Sequence, residues 1–147
     1  MAPAIGRADT APAAVSPKTQ LSRHVAGVAA QIRRLRKNAS PDIFATFDGS
    51  VGHVRCAPRD TPVAIYCEAQ SGAAEPSLAA KLTPALVAEL HGAGYADPGK
   101  TPNYSKTYAA DQFENAEIAR ELLTILHDVY GYDPSTKLQV TTENGPN

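Results

Sequence analysis

Apolar positions in this chain alternate between two periods. Leu21, Val25, Val28, Ile32 and Leu35 follow one another at helical spacing and line one helix face. Ser16 can cap that helix and Pro17 can open it, because the first helical position needs no N–H partner. The pattern predicts a helix from Pro17 to about Lys37, with Arg33, Arg34, Arg36 and Lys37 complementing the dipole at its C-terminal end. The period then falls to two. Strands are expected at Ile43 to Phe47, about Val51 to Ala57, and Val63 to Ala69. Asp48-Gly49 reads as a two-residue hairpin turn, and Pro58-Arg59-Asp60-Thr61 as the second turn.

In that register Ile43, Ala45, Phe47, Val54, Cys56, Val63, Ile65 and Cys67 share an apolar face. His53, Arg55, Tyr66 and Glu68 occupy the opposite, polar face, as in an antiparallel sheet with one side on a core and one in water. The same register places Ala57 opposite Pro62 and Cys67 opposite Gly52. Cys56 and Cys67 then lie ~13 Å apart. A disulfide needs Cα atoms within ~7 Å, so two buried free thiols are expected.

After a Ser/Gly/Ala/Pro loop from Ser71 to Ser77, the helical period returns. Thr83-Pro84 caps and opens a helix that buries Leu86, Val87 and Leu90 and stops at Gly92 and Gly94. Residues 95–104 read as an ordered elbow, and Tyr104 to Tyr108 as a short strand. A third helix begins at Asp111 and ends at Gly131. Ile118, Leu122, Ile125 and Val129 form its main stripe; Phe113, Leu123, Leu126 and Tyr130 widen it. So broad an apolar arc suggests a partner chain and a homodimer. Leu138 to Thr142 is a final strand. The fold class is α+β, an antiparallel meander against helices in the order α-β-β-β-α-(β)-α-β. The expected organisation is a disordered Ala/Pro-rich tail over residues 1–16, one domain over 17–142 and a polar tail over 143–147.

The 147 residues, 43% apolar and 20% charged with a net charge of −1, fit one globular domain. No global field favours nucleic acid or an anionic membrane. The N-terminus lacks the apolar stretch of a secretory signal, and two cysteines are few for a secreted scaffold, so a cytoplasmic protein is expected. No P-loop, G-x-G-x-x-G or G-x-S-x-G is present. His53 points away from both cysteines, so no metal site is expected, and no cofactor either. Two other readings stay open: an enzyme with Cys56 or Cys67 as nucleophile, and a nucleic-acid accessory protein using the basic end of the first helix.

From Leu82 onward the chain resembles the TY-Chap group, bacterial domains related to YbjN and to the small chaperones of type III secretion. Leu86, Leu90, Gly94 and Tyr95 match its helix ending in a leucine-glycine-aromatic step, with Ala93 in place of leucine and tyrosine in place of tryptophan. Pro98 and Asn103-Tyr104 match its proline and asparagine-aromatic positions. Ala116, Ala119, Leu123, Leu126, Val129, Tyr130 and Gly131 resemble its last helix. The resemblance implies a chaperone-like fold and a non-catalytic module that binds a protein or peptide client, often as a dimer. Gly94, Tyr95, Pro98, Asn103 and Tyr104 are expected to form a structural corner. Candidate partner-binding residues are His53, Arg55, Tyr66 and Glu68 on the sheet, and Phe113, Leu123, Leu126 and Tyr130 on the last helix.

Overall fold

The computed structural model describes residues 16–73 and 75–146; the tail expected over residues 1–16 lies almost wholly outside them. Eleven elements follow in chain order: α1 (Pro17–Ser22), α2 (Val25–Asn38), β1 (Ala45–Asp48), β2 (His53–Arg59), β3 (Ala64–Ala69), α3 (Pro76–Lys81), α4 (Pro84–Gly92), β4 (Tyr104–Tyr108), α5 (Asn115–Asp128), β5 (Gln139–Thr142) and β6 (Gly145–Pro146). The strands form one six-stranded antiparallel sheet in the order β4-β3-β2-β1-β5-β6. The α+β class and the meander are as the periodicity predicts.

Caps explain where the helices start. Ser16 Oγ accepts from the Thr19 N–H, and Thr83 Oγ1 accepts from the Leu86 N–H. Glu114 and Glu117 satisfy each other's backbone N–H in a capping box that opens α5. The expected single first helix is two, because Arg23 and His24 interrupt it. At that break His24 Nε2 lies 2.8 Å from Pro134 O and 3.1 Å from the Tyr132 hydroxyl. Tertiary partners thus fix the joint. Pro76–Lys81 turns as a short helix, which the Ser/Gly/Ala/Pro composition does not announce; Leu78 anchors it in the core.

The faces are as expected, but the pairing is not. Cys56 lies opposite Cys67 rather than Val63, a slide of four residues. Ala45 likewise lies opposite Cys56, so the first hairpin loop is Gly49 to Gly52, closed by a Gly49 N–H to Gly52 O bond of 2.8 Å. Pro58 and Arg59 belong to β2 rather than to the turn. Proline is tolerated there because β1 begins at Ala45, opposite Cys56, and no longer flanks β2. The slide has a covalent consequence: Cys56 and Cys67 form a disulfide, with Cα atoms 4.1 Å apart. The expectation of free thiols is overturned, since both sulfurs share the covered face of adjacent strands and sit directly opposite.

The core lies between that face and the helices. Phe47, Val54, Ile65 and Tyr108 from the sheet meet Ile32 and Leu35 of α2 and Ile118, Leu122 and Leu126 of α5, all fully buried. α2 packs along α5, so the wide apolar arc of α5 is covered within one chain. Leu123, Leu126 and Tyr130 are buried, and Phe113 is half-buried against Tyr108. The three buried residues are not free to bind a partner, and the arc gives no argument for a dimer. Past Thr142 the chain turns back as β6. Glu143 accepts the Phe44 N–H and pairs with Arg34 at 2.5 Å, and the Phe44 bond, aided by Arg34, holds its carboxyl below the usual range.

Candidate functional site

Strand alternation sends half of each strand away from the helices. On β2 and β3 those side chains are His53, Arg55, Ala57, Arg59, Tyr66 and Glu68. Arg55 lies opposite Glu68 in one direction and Thr46 in the other, Ala57 opposite Tyr66, and Asp48 opposite His53. The four candidate residues on the sheet are therefore assembled into one patch. Arg55 and Arg59 are exposed, while His53, Tyr66 and Glu68 are half-buried. Each arginine lies on an aromatic face: the Arg55 guanidinium 4.0 Å from the Phe44 ring centroid, that of Arg59 3.6 Å from Tyr66. Stacking holds both cations in place while their N–H groups remain open to a partner. Asn103 Nδ2 donates to Glu68 Oε1, so the elbow positions the acidic member.

The elbow itself is ordered. Gly94 has φ +91°, and a Cβ there would lie 3.2 Å from the Lys106 Cε and Nζ. Tyr95 is buried, and Ala96 exchanges both backbone bonds with Ser105 of β4. Asn103 Oδ1 accepts the Ser71 N–H, and Tyr104 meets His91 edge-on with centroids 6.3 Å apart. Pro98 is exposed, so its part is confined to the backbone.

Beneath the elbow lies a polar group that the residue pattern did not single out. Tyr104, Lys106 and Tyr108 all point to the covered face, which places a lysine beneath the sheet. Lys106 Nζ donates to Ala93 O at 2.7 Å and to Glu121 Oε1 at 2.6 Å. The Tyr108 hydroxyl donates to the same carboxylate oxygen at 2.5 Å, so it must accept from Tyr95 O–H, 3.0 Å away. Burial pushes both phenols well above their ordinary pKa, and their polar neighbours add to the shift at Tyr108. The available signal was a lysine between two inward tyrosines, with Glu121 flanking the α5 stripe. The arrangement holds a half-buried cation. It presents no nucleophile.

Glu121 also lines an open groove of about 720 Å³ between α4 and α5. Ala88, Ala93, Ile125 and Val129 supply apolar surface, and Glu89, Glu117, Glu121 and Asp128 outnumber the one cation, Arg120.

The basic end of α2 is divided. Arg34 is held by Glu143 and Phe44 O, and Arg36 by Phe113 O; Arg33 and Lys37 stay exposed. Among the described residues no three His, Cys, Asp or Glu side chains are grouped to hold a metal ion. No family model, no curated protein and no solved structure matches this chain.

Proposed function

We propose that this chain is a non-catalytic module that binds a protein or peptide client, of the chaperone or adaptor kind implied by the TY-Chap resemblance. The observation that carries this reading is the helix-free face of the sheet. Its centre holds His53, Arg55, Tyr66 and Glu68, and two arginines are prepositioned there by aromatic stacking. Arginine and tyrosine are the side chains that most often carry binding energy at protein interfaces. A patch ordered before binding loses less entropy on docking.

The competing readings have less support. A cysteine nucleophile needs a thiol, and Cys56 and Cys67 are joined to each other. A phosphate-binding helix end needs clustered free cations, and Arg34 and Arg36 are held within the fold. No helix among the described residues is long and apolar enough to cross a membrane. The expected cytoplasmic location rested in part on the small number of cysteines, and the Cys56–Cys67 disulfide counts against it, because such bridges persist mostly in oxidising compartments.

Photo-crosslinking tests the reading. A benzophenone side chain at position 66 or 107 should capture a defined client in cells, and Arg55→Glu should abolish the adduct. An absence of client adducts from either position would overturn it.

A further inference from the structure

The helix-free face of the sheet carries a charge pattern that specifies what it can hold. Arg55 and Arg59 lie on the same side of β2, four residues and ~13 Å apart. Arg55 leans past β2 onto Phe44, the residue before β1, and Arg59 leans the other way, onto Tyr66 of β3. Among the described residues neither guanidinium has a carboxylate within ion-pair distance. Glu68 lies opposite Arg55, but Asn103 holds its carboxylate. Both guanidinium forks are therefore fixed in position and unpaired. Between them on the same face sits Ala57, half-buried, with Tyr66 opposite. Its methyl group leaves room above the strand for a larger side chain from outside.

Given that this face binds a protein or peptide, as proposed above, we infer that the bound part of the client is an extended acidic segment of the pattern acid-x-apolar-x-acid. An extended chain projects every second side chain to one side, so two carboxylates four residues apart span the same ~13 Å as the two arginines. In a helix the same two residues would stand only ~6 Å apart. Each carboxylate accepts a pair of N–H groups from one guanidinium. The apolar residue midway points onto Ala57, beside Tyr66. A single-stranded nucleic acid offers anions too, but it fits this face less well. Its phosphates form an unbroken anionic row, and Asp48 and Glu68 share the face with the arginines. Bases stack on open aromatic faces, and here a guanidinium already lies over each ring. A peptide can place its carboxylates at the two arginines alone.

Peptide titration of the full chain tests it. Adding capped Glu-Thr-Leu-Thr-Glu should move the amide resonances of Arg55, Ala57 and Arg59 and saturate by millimolar peptide. Glu-Thr-Leu-Glu-Thr turns its second carboxylate to the far side of the strand, and Gln-Thr-Leu-Thr-Gln has none, so each should bind about tenfold more weakly. Arg55→Glu with Arg59→Glu should abolish binding. So should Arg55→Gln with Arg59→Gln, which removes the charge without reversing it. An unchanged melting temperature shows that these variants are folded, and the comparison of peptides needs no substitution at all. Equal binding of the three peptides, no shift with the first, or tighter binding of an oligothymidylate at the same arginines overturns the assignment. A client crosslinked at position 66 through a segment without paired carboxylates overturns it too, yet leaves the binding role of the face intact. That role fails separately, by the absence of any client adduct.

Discussion

The two faces of the sheet from β2 to β4 are built from alternate residues of the same segments, yet they handle polar groups in opposite ways. On the covered face Lys106 is held by Ala93 O and Glu121, and that carboxylate also takes the Tyr108 hydroxyl. On the uncovered face Arg55 and Arg59 rest on aromatic rings and keep most of their donors in water. A buried polar group must be satisfied by the protein itself. An exposed one has water as a partner and can exchange that water for a client. The difference separates residues that hold the fold from residues available to bind.

Substitutions should separate the faces by size of effect. Leu122→Ala, in the fully buried stripe of α5, should cost about 2–5 kcal/mol in urea unfolding. A loss under about 1 kcal/mol would mean that the helix layer packs loosely. Replacing Cys56 and Cys67 together by alanine should remove about 3 kcal/mol, the usual effect of opening a short covalent loop. Thiol labelling of native protein should also find no reactive cysteine until a reductant is added.

Alkaline pH probes the same side. Tyr95, Tyr108 and Tyr130 have raised pKa values in the folded state, chiefly through burial. Unfolded tyrosine ionises near pH 10. Above that pH the unfolded chain loses protons that the folded chain retains, so stability should be intact below about pH 10 and fall as pH rises further. Tyr95→Phe should make the fall between pH 9 and pH 11 shallower, and an unchanged slope would remove Tyr95 from this account.

Gly94→Ala should cost about 1 kcal/mol in melting experiments, because the residue sits at φ +91°. A neutral result would make the elbow a loose loop. The smallest effect belongs to the uncovered face. Arg55→Ala and Tyr66→Ala should each shift stability by less than about 1 kcal/mol, as surface changes do, while weakening client capture. A large loss of stability from either would show that this patch is structural.

Much of this division was legible in the residue pattern, and the failures have physical causes. Period two along the strands assigns each residue to a face, and sliding a register by an even number leaves faces unchanged. His53, Arg55, Tyr66 and Glu68 are therefore grouped correctly, although the first hairpin loop has four residues rather than two and the second, still of four residues, lies two positions further along the chain. The slide did change who sits opposite whom. Cys56 moved from Val63 to Cys67, and the bridge was missed for that reason alone. The partner role expected for Leu123 and Tyr130 failed differently. A helix shows how wide its apolar arc is, but not how many neighbours the same chain will bring to cover it. Likewise, Lys106 and Glu121 carry no motif; only the pairing of β4 with β3 beside α5 brings them together.

The β1–β2 hairpin also depends on a distant residue. A Cβ on Gly49 would come within 2.6 Å of Tyr130 O, and one on Gly52 equally close to the Tyr130 ring. Val51 N–H bonds Tyr130 O, and Ser50 Oγ bonds Gly131 O across 81 residues of chain. The loop is shaped against the far end of α5. During synthesis its template leaves the ribosome long after the loop itself, so these contacts cannot form until Tyr130 and Gly131 have been made. Folding of this domain should accordingly finish at the hairpin that is translated first among the strands.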